Sequence, residues 1–274
     1  MKNAIGVMQG RLLPKYNGQY QAHPVDYWQG EFYIAKEIGL DCIEFILDFN
    51  QLSSNPLIKK SGITEIQSII DQTGVKVKSI CADYLMEAPL HSKNILLAES
   101  SKATLVQLIK NSLVLGVTDI VIPCVDKSSL DGKEARDQFT KMLQPVIKVA
   151  KNNNVNLSLE TDLPPKSFLK LLECLDSSSV TVNYDIGNSA ALGYDPVEEL
   201  NTYGHRITDI HIKDRVFQGG SILLGKGNAD FNAFFTKLTE FDYKGPFIMQ
   251  AYRDEEGVEI FKKQLSWVMR YLSE

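Results

Sequence analysis

Four residues of metal-binding type each stand at the end of a short run rich in β-branched residues. Their positions are Glu160 after NVNLSL, Asp185 after VTVNY, His211 within RITDIHIKD, and Gln250 after GPFIM. The intervals are roughly 25 to 40 residues, the length of one strand plus one helix. In a (β/α)8 barrel this spacing places all four side chains at one mouth, where they could hold a divalent cation against a small polyhydroxylated substrate.

The chemistry of this set follows from its donor atoms. Glu160 and Asp185 supply two negative oxygens, His211 a neutral nitrogen and Gln250 a neutral carbonyl oxygen. We expect Mn²⁺, and Mg²⁺, Co²⁺ or Zn²⁺ also suit mixed oxygen and nitrogen ligands. A cation that binds both oxygens of a hydroxy-ketone acidifies the adjacent C–H and stabilises the enediolate. Glu160 is the candidate catalytic base for that proton, and a second carboxylate is the alternative.

The rest of the chain alternates strand-like runs with amphipathic stretches, which predicts an α/β fold of the (β/α)8 TIM barrel type. We place one domain over residues 1–274. The predicted strands cover 4–8, 42–47, 75–82, 119–124, 155–160, 180–185, 207–213 and 246–251. The predicted helices cover 28–38, 62–73, 96–115, 133–152, 165–174, 195–204, 229–241 and 256–272. An open doubly wound sheet would alternate in the same way, but no G-x-G-x-x-G follows the first strand.

Composition restricts the partners. The 274 residues are 44% hydrophobic and 23% charged with a net charge of −5, which is ordinary for a globular protein and does not favour nucleic acid. A small-molecule sugar or sugar phosphate is the expected partner. The N-terminal apolar stretch is too short for a signal peptide, and no run approaches about 18 apolar residues. We therefore expect a cytoplasmic protein with no membrane partner.

The segments NLSLE, NYDIGN, DIHIKD and ILLGKGNADF occur in this order, with GVMQGRL and GLDCIEF near the N-terminus. Together they resemble the sugar phosphate isomerase/epimerase superfamily of xylose isomerase-like TIM barrels, over essentially the whole chain. The resemblance implies a divalent metal held at Glu160, Asp185, His211 and position 250. In epimerases of this superfamily the glutamates of the fifth and eighth strands work as a proton-transferring pair. Here position 250 is Gln, which cannot accept that proton.

The resemblance also suggests substrate contacts. Asn188 stands where sugar epimerases often carry His, and Arg215 matches a position that contacts substrate oxygen or phosphate. Glu44 lies near the pocket, in the DCIEF segment of the second predicted strand. Lys213 lies at the rim of the pocket, where Lys213 or Asp214 could orient His211. Further candidates for the mouth are Gln9 and Arg11 after the first strand, Asp83 after the third, and the turn Gly225-Lys226-Gly227.

The leading hypothesis is a metal-dependent aldose–ketose isomerase or epimerase in carbohydrate metabolism. Three alternatives stay open: a metal- or sugar-binding barrel without turnover, an inosose dehydratase-type lyase, and an abasic-site endonuclease. The last uses many histidine ligands, and this chain has four His and an acidic balance. Barrels of this kind often associate through their outer helices, so a homo-oligomer is a further expectation.

Overall fold

A closed barrel of eight parallel strands forms the centre of the protein, as the sequence predicts. The computed structural model describes residues 3–253 and 257–272. The barrel strands are β1 (Ile5–Met8), β2 (Cys42–Ile46), β3 (Lys76–Cys81), β4 (Asp119–Cys124), β5 (Asn156–Thr161), β6 (Val180–Asp185), β7 (Ile207–Ile212) and β10 (Phe247–Met249). Their order around the barrel is β1-β10-β7-β6-β5-β4-β3-β2. Two short antiparallel strands, β8 (Asp214–Arg215) and β9 (Ser221–Ile222), form a hairpin beyond β7.

Helices surround the barrel, and all eight predicted helices are present. They are α1 (Gln29–Ile38), α2 (Lys60–Thr73), α4 (Ile95–Leu115), α5 (Lys133–Asn152), α6 (Pro165–Leu175), α8 (Pro196–Tyr203), α9 (Phe231–Leu238) and α10 (Glu259–Leu272). Two short helices were not predicted: α3 (Tyr84–Glu87) after β3 and α7 (Ile186–Leu192) directly after β6. Within the described residues no helix is long and apolar enough to cross a membrane.

The helix boundaries follow the expected local signals. Gly39 and Gly74 end α1 and α2 with φ of 85° and 81°, a left-handed conformation that glycine adopts without steric cost. The carboxylate of Asp195 caps α8 by accepting hydrogen bonds from the backbone amides of Val197 and Glu198 at 2.8 and 3.0 Å. Gly39 and Gly74 thus mark helix ends, and Asp195 marks a helix start.

Two apolar layers stabilise the barrel. One lies between the strands and the helices, and a smaller one fills part of the barrel interior, formed by Met8, Cys42, Ile46, Cys81, Val121 and Ile248. Gly6 lies against this interior layer, because a Cβ there would come within 2.5 Å of the Cys42 sulfur. Buried polar side chains occupy β5 to β7 instead, among them Ser158, Asn183, Asp209 and His211. The strand pairing shifts register next to Glu44 and next to Asn183, two polar positions of the site.

Candidate metal centre and proton-transfer site

Three of the four predicted ligands converge at the C-terminal mouth of the barrel. Glu160 is in β5, Asp185 ends β6 and His211 is in β7, and their ligand atoms all lie within 4.8 Å of one another. His211 Nδ1 is 3.6 Å from Glu160 Oε2 and 3.8 Å from Asp185 Oδ2. All three side chains are buried. This region thus concentrates two carboxylates and an imidazole that face one point.

These separations suit a cation. Ligand atoms about 2.1 Å from a metal, at angles near 90° to 109°, are about 3.0 to 3.4 Å apart. A small contraction of the 3.6 and 3.8 Å contacts would therefore bring three ligands to one ion. A second acidic group, formed by Glu44, Asp209 and His211, fits less well. There His211 Nε2 and Glu44 Oε1 are only 2.8 Å apart, which is a direct hydrogen bond.

Glu44 orients the His211 ring. Its Oε1 accepts the hydrogen bond from Nε2, and its Oε2 accepts one from the Ser79 hydroxyl at 2.6 Å, with both Glu44 and His211 fully buried. With Nε2 held by Glu44, Nδ1 is turned toward Glu160 and Asp185 and lies 3.1 Å from Asn183 Nδ2. Burial alone would lower the pKa of His211, but the charge of Glu44, its hydrogen bond to Glu44 and the charge of Glu160 raise it well above its ordinary value. Proton and metal therefore compete for the same nitrogen.

Asp185 divides its two oxygens between structure and the site. Its Oδ1 caps α7 by accepting the Asn188 backbone amide at 2.8 Å, and its Oδ2 lies 3.4 Å from Lys213 Nζ and faces His211. Burial opposes ionisation, but the charges of Lys213 and His211 outweigh it and lower the pKa of Asp185 to about 2. Asp185 is thus ionised at neutral pH, with Lys213 beside it.

Glu160 is held by two asparagines. Asn183 Nδ2 donates to its Oε2 at 2.9 Å, and Asn188 Nδ2 donates to its Oε1 at 2.5 Å. Arg215 reaches the same group indirectly, because its Nη1 donates to Asn188 Oδ1 at 2.7 Å while its Nε donates to the Gly219 carbonyl at 2.9 Å. Burial and the negative charge of Asp185 raise the pKa of Glu160 to about 7.

Gln250 follows β10 on the barrel-facing side, two residues after Ile248, which pairs with His211. Its Nε2 donates to Gln21 Oε1 at 3.0 Å. The amide oxygen of Gln250 is buried and lacks a hydrogen-bond partner among the described residues. An unpartnered carbonyl oxygen beside the strand that carries His211 fits a fourth, neutral ligand.

Several residues of the site were missed or placed in a different role by sequence reasoning. Asn183 was not singled out, although alternation along a strand puts it on the same face as Asp185. Asp214 does not contact His211. Its carboxylate accepts backbone amides of Gly225 and Gly227 at 2.9 Å each and of Ala229 at 3.1 Å. The backbone amides of Gly225 and Gly227 already donate to Asp214. The Gly225-Lys226-Gly227 turn therefore does not offer them to a phosphate.

Comparison with known proteins agrees with this architecture. The family model described as "Xylose isomerase-like TIM barrel" matches residues 32–271. The L-ribulose-5-phosphate 3-epimerase UlaE of Escherichia coli is 25% identical over 259 residues, covering 88% of each chain. Among solved structures, apo 3-keto-D-glucoside 4-epimerase YcjR from E. coli has a TM-score of 0.76 at 18% identity, covering 98% of this chain and 100% of its own.

A xylose isomerase-like TIM barrel protein from Mycobacterium smegmatis, solved in complex with magnesium, has a TM-score of 0.72 at 18% identity and covers 99% of this chain and 97% of its own. At these identities the structures are evidence for the fold alone. The named relatives support the prediction of an enzyme of the isomerase and epimerase class. The family match spans most of the chain, and the protein belongs to the xylose isomerase-like TIM barrel family.

Proposed function

We propose that the protein is a divalent-metal-dependent epimerase or isomerase of a ketose or ketose phosphate, with Glu160 as the proton-transferring base. The observation that carries the proposal is the convergence of Glu160, Asp185 and His211 at the barrel mouth. The relatives named as L-ribulose-5-phosphate 3-epimerases support a phosphorylated pentulose as the first substrate to test.

The residues present fit a metal. Glu160, Asp185 and His211 would hold it, with the unpartnered amide oxygen of Gln250 as a fourth donor. A divalent cation bound there would supply Lewis-acid polarisation of the substrate carbonyl and stabilisation of the charge that develops on its oxygen. Mn²⁺ is our first choice for the oxygen-rich set, with Mg²⁺, Co²⁺ and Zn²⁺ as the other ions to test.

Glu160 suits the proton transfer. Burial and the charge of Asp185 raise the pKa of Glu160 to about 7 in the metal-free site, and a bound cation would act in the opposite sense and keep Glu160 ionised as a base. The amides of Asn183 and Asn188 fix its two oxygens, so the base is held in one orientation. The removed proton would reside on a Glu160 oxygen until it is returned to carbon.

The carbon to which the proton is returned decides between isomerisation and epimerisation. Return by Glu160 to the adjacent carbon, with the hydroxyl proton passing from one enediolate oxygen to the other, gives an isomerase. An epimerase that inverts one carbon needs a second group on the opposite face. Gln250 cannot serve as that group, because an amide does not take up a proton near neutral pH. Asp83 is a candidate: it accepts a hydrogen bond from Gln21, which also contacts Gln250, and burial raises its pKa.

Proton exchange in D₂O tests the proposal. Mn²⁺-loaded protein would be incubated with L-ribulose 5-phosphate, and deuterium would be located by NMR. We expect incorporation at C3 for an epimerase or at C1 for an isomerase, and its loss in Glu160→Gln. Glu199→Gln provides the matched control, since Glu199 is also buried and hydrogen-bonded but belongs to α8. Tight binding of ketoses without exchange in any substrate would instead indicate a binding protein without turnover.

A further inference from the structure

The loop after β1 carries a buried cation to the barrel mouth. Arg11 is only 9% exposed, and its Nη2 donates to Gln21 Oε1 at 3.2 Å, while its Nε is buried without a partner among the described residues. Burial and the charge of Arg253 lower its pKa to about 10, and the charges of Asp185 and Asp83 act on it in the opposite sense. The guanidinium is therefore charged at neutral pH and lies near the candidate metal centre.

Arg11 is held rigidly. Glu31 accepts the backbone amides of Gly10 and Leu12, on either side of Arg11, at 2.8 and 3.0 Å. Gln21 Oε1 accepts from both Arg11 and Gln250, and Gln21 Nε2 donates to Asp83 Oδ2 at 3.1 Å. Arg11 is thus anchored by its own loop and, through Gln21, by Gln250 directly after β10.

A second cation lies next to it. Arg253 is 5% exposed, donates from Nη1 to the Arg11 carbonyl, and stacks its guanidinium 4.3 Å from the centroid of the Tyr20 ring. The Tyr20 hydroxyl is buried and has no partner among the described residues. Two guanidinium groups and a free hydroxyl donor therefore lie around one loop.

The nearby carboxylates are already engaged. Glu31 accepts hydrogen bonds from two backbone amides, and Asp83 accepts them from Gln21 and from the Cys81 thiol. Asp185 accepts the Asn188 backbone amide and pairs with Lys213. Gln250, directly after β10, is neutral and therefore adds no negative charge next to Gln21 and Arg11. A buried guanidinium with an open donor is costly unless an acceptor completes its hydrogen bonds.

We infer that Arg11, with Gln21 and Arg253, binds an oxyanionic substituent of the substrate, a phosphate or a carboxylate, at the β1 and β10 side of the mouth. The assignment of this anion to the substrate rests on the proposed function. A planar guanidinium suits bidentate contact with such a group. The sequence assigned the substrate oxyanion to Arg215 instead. Arg215 already donates from Nε to the Gly219 carbonyl and from Nη1 to Asn188 Oδ1.

Anion protection of the whole protein tests the inference without turnover. Thermal unfolding and calorimetric titration would be measured with inorganic phosphate, with glycolate, and with chloride at equal ionic strength, on metal-free and Mn²⁺-loaded protein. We expect phosphate or glycolate to raise Tm above the chloride value. Protection by phosphate alone identifies a phosphorylated sugar, and protection by glycolate alone identifies a sugar acid.

Two variants assign the effect. Arg11→Lys keeps the charge but loses the planar fork, and should weaken anion binding about tenfold while Mn²⁺ affinity, measured by EPR, stays unchanged. Arg136→Lys is the control, because Arg136 is also partly buried and donates to a backbone carbonyl, that of Leu130, away from the mouth.

The outcomes separate the two proposals. Normal Mn²⁺ binding without protection by either anion, or equal weakening in both variants, would overturn the anion site and leave the proposed function standing. Protection that depends on Arg11 in a protein that binds no Mn²⁺ would support the anion site and overturn the metal-dependent function.

Discussion

Replacement of Glu44 by Gln should weaken metal binding without unfolding the protein. Glu44 accepts the His211 Nε2 hydrogen bond at 2.8 Å and the Ser79 hydroxyl at 2.6 Å in a fully buried setting. Gln can still accept from His211 and can donate to Ser79, so the packing survives. The negative charge that orients and polarises the imidazole is lost.

Partners that orient metal-bound imidazoles typically contribute 10- to 100-fold in affinity. We therefore expect the Mn²⁺ dissociation constant of Glu44→Gln to rise by about that factor, equivalent to about 1.4 to 2.8 kcal/mol. The Glu44 charge also raises the pKa of His211, which favours a competing proton. The Mn²⁺ titration should thus be made from about pH 7 to about pH 9. The full loss of affinity is expected at about pH 9, where protons compete least with Mn²⁺ for His211.

Glu199→Gln is the matched control for the same EPR titration. Glu199 is buried and accepts hydrogen bonds from the hydroxyls of Tyr184 and Tyr203 at 2.7 Å each, on the helical side of the barrel. It should lose stability in urea unfolding but keep wild-type Mn²⁺ affinity. Wild-type Mn²⁺ affinity of Glu44→Gln at high pH, or equal weakening in the control, would contradict this role of Glu44.

Three further predictions address other parts of the site. Gln250→Glu should tighten Mn²⁺ binding about tenfold by adding a negative ligand, and unchanged affinity in the titration would argue against Gln250 as a ligand. Arg215→Lys should lower kcat about tenfold with little change in Mn²⁺ affinity, because it frees Asn188 and thereby Glu160. An unaltered kcat would show that Arg215 does not position this base. Burial raises the pKa of Glu31 from 4.5 to about 7, so its folded state binds the extra proton and stability contributed there is lost as pH rises through that interval. Urea unfolding at about pH 5 and about pH 8 should show a smaller loss of stability in Glu31→Gln than in wild type, and equal losses would contradict this assignment.

The barrel and its mouth are predictable because they depend on periodic features. Strand-like runs, helix ends at glycine and the spacing of the units are local signals, and closure of the barrel brings successive strand ends together. The convergence of Glu160, Asp185 and His211 follows from that geometry alone.

The contacts between side chains are less accessible to sequence reasoning. Glu44 and His211 are 167 positions apart, and Gln21 and Gln250 are 229 apart, so no local pattern pairs them. The role of Asp214 depends on how the chain from Gly225 to Ala229 folds back over β8. The short helix α7 was missed because it begins without a connecting loop, with Asp185 serving as both cap and candidate ligand.

The most direct measurement is the stoichiometry and affinity of Mn²⁺ in wild type and Asp185→Asn, by EPR and elemental analysis. Asn can still cap α7 through its side-chain oxygen, so the fold should persist while one negative ligand is removed. We predict one Mn²⁺ per wild-type chain and affinity at least about tenfold weaker in the variant. Absence of stoichiometric Mn²⁺ in wild type, or equal affinity in both proteins, would contradict a metal centre built on Glu160, Asp185 and His211.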